Sequence, residues 1–229
     1  MSVSVTEKAA GLFSFAGIIS TWSLGLFVAP SDAAQGEAYR IVYLHLPCAI
    51  SAFLAAFVMA GIALWCLWRP SERGLLLQRA AAEVGLIFTC LTLATGSIWG
   101  RPIWGTWWTW DARLTTTLLL AILYFGFIML ISSMSPGRGR IKAGSVLSLL
   151  IAVDVPIIYK SVSWWRTLHQ PPSLLRTGGS TMDPDMRQIL LISVAAMIVH
   201  AAFLIGARYR NLTLAEEVEG KSLLQMQGS

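Results

Sequence analysis

Long stretches of the chain carry no charge, and the charged residues gather between them. Six predominantly apolar runs can be marked, at about 11–29, 46–67, 81–98, 114–134, 143–162 and 187–207. Each is close to the roughly 20 residues an α-helix needs to cross about 30 Å of hydrocarbon. The pattern therefore predicts an all-α, polytopic membrane protein with six transmembrane helices. Two runs depart from uniform apolarity. The second opens on His45-Leu46-Pro47; proline suits a helix start because its missing N–H would be unpaired there anyway, so His45 is expected just outside the hydrocarbon, at the interface. The fifth contains Asp154 and Pro156, which predicts a kink and a carboxylate turned toward the bundle rather than toward lipid. The first run follows Lys8 and precedes "SDAAQGEA", in the manner of a secretory leader, but it is long for a leader's apolar core and is read as a retained helix.

Composition agrees with this picture. Of 229 residues 55% are hydrophobic and 13% charged, with a mean hydropathy of +0.64, whereas soluble domains carry about 25% charged residues. A net charge of +5 would point to nucleic acid in a soluble protein. Here the basic residues flank apolar runs, where they orient helices in the bilayer, so membrane lipid is the expected surface and nucleic acid is not. Six spans place both termini on one side. That side carries Lys8, Arg69, Arg73, Arg79, Arg138, Arg140, Lys142, Arg208, Arg210 and Lys221; the other carries Arg40, Arg101, Arg113, Lys160, Arg166, Arg176 and Arg187. The short loop "SPGRGRIK" decides more than the totals, because it has three basic residues and no acid, and short loops are where the positive-inside bias acts most strongly. Both termini are expected to be cytoplasmic. The chain reads as a single membrane domain, 1–229, with a Trp-rich loop 99–113 and a further loop 163–186 on the outer side.

Cys48, Cys66 and Cys90 show no C-x-x-C spacing, which argues against a dithiol centre or covalent haem attachment. Gly220-Lys221-Ser222 matches the end of a phosphate-binding loop, but Ala215 stands where the first glycine should be and no strand precedes it. ATP binding is not expected.

The outer side is where chemistry concentrates. Trp99, Trp104, Trp107, Trp108, Trp110, Trp164 and Trp165 put seven of the ten tryptophans there. Trp22, Trp65 and Trp68 are explained by the aromatic belt at headgroup level. For the seven, each indole buries roughly 150–250 Å² when covered, an upper bound of about 4–6 kcal/mol at 25 cal/mol per Å², so water alone is a poor neighbour for them. If Pro102 opens a helix, Trp104, Trp107, Trp108 and Asp111 share one face, an aromatic shelf ending in a carboxylate. Gly100 and Gly105 would let a flat ligand approach the backbone. A planar, mostly apolar molecule with anionic edges fits such a surface, its faces on indole and its edges on Arg101 or Arg113. Haem answers that description. Its iron needs axial ligands, ordinarily histidine, and the chain has three. A lone interfacial histidine is ordinarily a hydrogen-bonded surface residue, but His45 and His169 fall at one depth, level with the tryptophans. His200, deep in the sixth run and past the midplane, reads as a packed helix histidine.

At these residues the sequence resembles the CcmC family, haem-handling membrane proteins of cytochrome c maturation. The signature is "WGTWWTWDARLT" (104–115), with Trp99 and Gly100 before it. "YRIVYLHLP" (39–47) and "PIIYKSVSWWRTLHQ" (156–170) support it, and the six-span layout extends the likeness over nearly the whole chain. The resemblance implies haem b (iron protoporphyrin IX) bound at the outer face of the bacterial cytoplasmic membrane, with His45 and His169 as its two axial ligands. It makes Trp104, Trp107, Trp108, Trp110 and Asp111 the haem-binding loop. It further implies loading of haem onto the chaperone CcmE, with CcmA, CcmB and CcmD as partner subunits, CcmA holding the ATPase activity. Two departures stand out: Cys48 beside His45, where a small inert residue is expected and where the thiol is read as apolar packing ahead of an iron ligand or reductant, and the Pro171-Pro172 pair after "LHQ". Two other readings remain open on the residues alone. One is a b-type cytochrome subunit carrying electrons; the other is a haem transporter subunit of an ABC complex, for which a polar route or an inverted repeat should be visible.

Overall fold

The computed structural model describes residues 4–170 and 182–227, with side chains to residue 220. Residues 171–181 of the loop 163–186, including Pro171-Pro172 and Arg176, lie outside the described residues, as does the side chain of Lys221. The predicted all-α, six-span architecture is present: among the described residues six helices are long and apolar enough to cross a membrane. They are α1 (Val5–Ser23, continued by a wider turn, Leu24–Val28), α2 (Val42–Trp68, entered through a tight turn, Glu37–Ile41), α3 (Glu72–Trp104), α4 (Ala112–Ser133), α5 (Arg138–Trp164) and α6 (Pro184–Gln227).

Short polar side chains start these helices by taking the first free N–H groups. Ser71 accepts from Gly74 at 3.1 Å, Asp111 from Leu114 at 2.9 Å, and Asp183 from Asp185 at 2.9 Å. One start differs from expectation. Helix α2 begins at Val42 rather than at the His45-Leu46-Pro47 end of the apolar run, so His45 lies in its first turn and Pro47 is interior instead of at the helix start. The preceding tight turn already has helical dihedrals and supplies a nucleus upstream of the proline. Pro156 likewise sits inside an uninterrupted α5. Helices α3 and α6 outrun their apolar runs, with 33 and 44 residues, or about 50 and 66 Å, against about 30 Å of hydrocarbon. Their overhang at the terminal end is held by charge: Glu83 of α3 accepts from Arg79 at 3.0 Å and from Arg208 of α6, and Arg210 pairs with Glu7 of α1.

Helix α2 packs on α3, α5 and α6, and α4 packs on α3 and α5, so α2 to α5 form a ring with α1 and α6 outside it. Small residues on the buried face of α2 (Ala49, Ala52, Ala55, Ala56, Ala63) and on α3 (Ala80, Ala81, Ala82) let the backbones approach. Tyr124 of α4 reaches across to donate to the Ala52 carbonyl at 2.7 Å. Asp154 is 4% exposed, so its side chain faces protein, as predicted. Cys48 does not face the tryptophans' end of the ring: it is buried among Ile18, Val84, Phe88 and Met197. Residues three apart on a helix are neighbours, so it is the packing of the Cys48 side chain against α1, α3 and α6, not its phase relative to His45, that argues against a thiol touching iron.

Candidate functional site

A cavity opens at the tryptophan end of the ring, bounded by α2, α3, α4, α5 and three loops. His45 and His169 both line it, with Trp99, Trp104, Trp108 and Arg113. Its deeper wall is apolar, from Ile50 and Phe53 of α2 to Ile158 of α5.

The two imidazoles are fixed in the same chemical sense. His45 Nδ1 is 3.0 Å from Thr95 Oγ1, and that hydroxyl's one proton is directed to the Leu91 carbonyl at 2.7 Å. With its proton on that carbonyl the hydroxyl accepts from His45, and the Thr92 carbonyl is a further acceptor for the ring. His169 Nδ1 is 2.9 Å from the Gln170 carbonyl, which can only accept. Both rings thus carry their proton on Nδ1 and keep the Nε2 lone pair. Burial, and after it the charge of Arg113, pushes the His169 imidazole down to about 4, so it is neutral at physiological pH.

Three loops converge to hold these rings. In the first, Asp32 Oδ1 accepts from the N–H groups of Ala34 and Gln35, forming a turn that presents Gln35. Gln35 Oε1 accepts from the Trp99 indole at 2.9 Å, and Gln35 Nε2 donates to Gln170 Oε1 at 2.5 Å. Trp99 stands edge-on to both Tyr39 and His45, with ring centroids 5.4 and 5.7 Å away. Asp111 supplies the second tie: its Oδ2 accepts from the Thr167 hydroxyl at 2.7 Å and the Leu168 N–H at 3.3 Å, while Thr167 Oγ1 accepts from the His169 N–H at 3.0 Å. Trp104 lies 6.1 Å from the His169 ring.

The continuous helical shelf is not formed. Helix α3 runs through Pro102 and stops after Trp104, because Gly105 takes a left-handed conformation (φ 75°) and Arg101 donates to its carbonyl at 2.7 Å. A local turn follows, in which the Thr106 hydroxyl donates to the Trp108 carbonyl at 3.0 Å. Trp104 and Trp108 therefore face the cavity, whereas Trp107 (57% exposed) and Trp110 (76%) face outward. Trp164 and Trp165 are also exposed and stack edge-on with each other. Arg101 serves the helix end and is exposed, so it does not join the cavity. Gly100 gives room to the Trp104 ring, which a Cβ would meet at 2.9 Å, rather than to a ligand. Asp111 is a cap and a strut. His200 lies apart, bonded to Ser14 of α1 at 3.1 Å between Phe15 and Phe203.

Gln35, Tyr39, Thr95, Gly96 and Gln170 carry no chemical signature in the sequence and are found only by contact. Two donors at the cavity wall are orphaned among the described residues: Trp108 Nε1 and Arg113 Nη1 are buried with no hydrogen-bond partner there. Such groups are costly unless something pairs with them. A ligand with carboxylates would do so. Flat indole walls, two imidazoles on one cavity and orphaned donors form a set that suits iron protoporphyrin.

Residues 2–224 match the family model described as heme exporter protein C. The chain is 41% identical to heme exporter protein C of Escherichia coli K12 over 197 residues, covering 86% of this chain and 79% of that protein. It is 39% identical over 214 residues to the Bradyrhizobium diazoefficiens protein of the same name, covering 90% and 79%. For the Haemophilus influenzae protein the figures are 37% over 220 residues, covering 94% and 89%. A six-span membrane fold, a cavity joining two histidines to the tryptophan signature, and a match over nearly the full length lead to one conclusion: this chain belongs to the heme exporter protein C (CcmC) family.

Proposed function

We propose that the chain binds haem b at the tryptophan end of its bundle and presents it for loading onto the chaperone CcmE during cytochrome c maturation. The observation that carries this is the shared cavity of His45 and His169, each with Nδ1 engaged and Nε2 left for a metal. In this reading the two imidazoles ligate the iron, Trp99, Trp104 and Trp108 cover the macrocycle, and Arg113 and Trp108 Nε1 bind a propionate. Bound haem supplies the iron and the vinyl groups; the chain itself positions, shields from water and neutralises carboxylate charge. The exposed Trp107, Trp110, Trp164 and Trp165 form an apolar rim that suits headgroup-level lipid and a docking chaperone. The basic start of α5, with Arg138, Arg140 and Lys142, supports cytoplasmic termini and a periplasmic site. CcmA, CcmB and CcmD fit as partners, with ATP use on CcmA. The alternative of a helix-borne haem pair for electron transfer is less well supported, since His169 sits on a loop and His200 is outside the cavity.

The test is the absorption spectrum of affinity-purified protein. The expected result is a six-coordinate, low-spin haem that His45→Ala and His169→Ala each disturb. Unchanged spectra in both variants overturn the ligand assignment.

A further inference from the structure

We infer that Thr95 is a positioning residue for the haem site, orienting His45 and setting its strength as an iron ligand. The inference rests on the haem reading above and adds to it a residue that touches no ligand.

The geometry carries it. Thr95 sits in α3 across from His45 on α2, and its Oγ1 receives the His45 Nδ1–H at 3.0 Å. The hydroxyl is itself aimed by its bond to the Leu91 carbonyl at 2.7 Å, one turn back along the helix. The acceptor is therefore rigid. Gly96, the next residue, opens the space for this arrangement: a Cβ there would stand 3.1 Å from His45 Cε1. The small residue brings the imidazole edge onto α3, and the hydroxyl fixes its rotation and tautomer. A hydrogen bond from the far nitrogen raises the basicity of a ligating imidazole, and losing such a partner typically costs about 10–100-fold in metal affinity. The two sides of the cavity differ in this respect. The acceptor for His169 is the main-chain carbonyl of Gln170, which no substitution removes; His45 meets a main-chain acceptor too, the Thr92 carbonyl, and in addition the Thr95 hydroxyl, so the side-chain control of ligand strength falls on Thr95.

The experiment compares the full chain in lipid nanodiscs with its Thr95→Val, Thr95→Ser and His45→Ala variants, titrated with ferric protoporphyrin IX and then poised in a redox titration. Valine keeps the shape and removes the acceptor; serine keeps the acceptor. The expected result is about 10–100-fold weaker haem binding and a more positive midpoint potential in Thr95→Val, because a less basic imidazole favours ferrous iron. Thr95→Ser should restore both toward the parent values. A Thr95→Val protein that matches the parent in affinity and potential overturns the inference. So does a Thr95→Ser protein as impaired as Thr95→Val, which would assign the effect to packing. An unchanged spectrum in His45→Ala would instead overturn the underlying ligand assignment, so the two failures are told apart.

Discussion

Replacing Asp111 by alanine tests whether the cavity depends on the struts that bring its loops together. The Asp111 carboxylate makes two kinds of contact. Its Oδ1 caps α4 through the Leu114 N–H at 2.9 Å, and its Oδ2 holds the Thr167 hydroxyl and the Leu168 N–H at 2.7 and 3.3 Å, next to His169. Loss of a cap costs about 1 kcal/mol, which falls on α4 with or without ligand. Loss of hydrogen bonds to a charged acceptor costs about 1.5–3 kcal/mol, and that part falls on the loop that presents His169. At about 1.4 kcal/mol per decade, haem affinity should drop by about 10–150-fold. The assay is a haem titration of the purified Asp111→Ala protein with its spin state read from the absorption spectrum; a shift toward five-coordinate, high-spin haem is expected. Thr167→Val should reproduce part of the loss, and the double variant should lose less than the sum, since both substitutions cut one connection. Wild-type affinity with a low-spin spectrum in Asp111→Ala would refute the reasoning.

Three further outcomes are expected. Arg113→Met should weaken binding of haem by about 10–150-fold through loss of a charge-assisted bond while leaving haem dimethyl ester nearly unaffected; equal losses for both ligands would remove Arg113 from the propionate. In the haem-free protein the His169 imidazole should titrate near 4 rather than at the ordinary ~6.5. Between those values the unfolded chain binds the extra proton, so stability is lost as pH falls from about 6.5 toward 4; an NMR titration giving an ordinary midpoint would contradict the burial argument. Cys48→Ala should leave the haem spectrum unchanged, because the thiol packs with Ile18, Val84 and Phe88; a shifted spectrum would return the thiol to the iron.

Sequence alone determined the elements and the chemistry present. Six apolar runs of spanning length can only satisfy their backbone groups as helices in a bilayer, so fold class followed from hydropathy. His45, His169 and the tryptophans were legible because imidazole and indole are uncommon and clustered at one depth. Tertiary structure decided which of them meet. The shelf of Trp104, Trp107, Trp108 and Asp111 assumed that Pro102 starts a helix, whereas packing carries α3 through that proline and Gly105 ends it two residues after Ile103. That phase change sends Trp107 and Trp110 outward and turns Asp111 into a cap. The ties through Gln35, Thr95 and Gln170 join residues 50 to 135 positions apart. No local pattern encodes such pairs: glutamine and threonine are ordinary residues in helices and loops, and only the approach of α2 to α3 and of the first loop to the third gives their hydrogen bonds a partner.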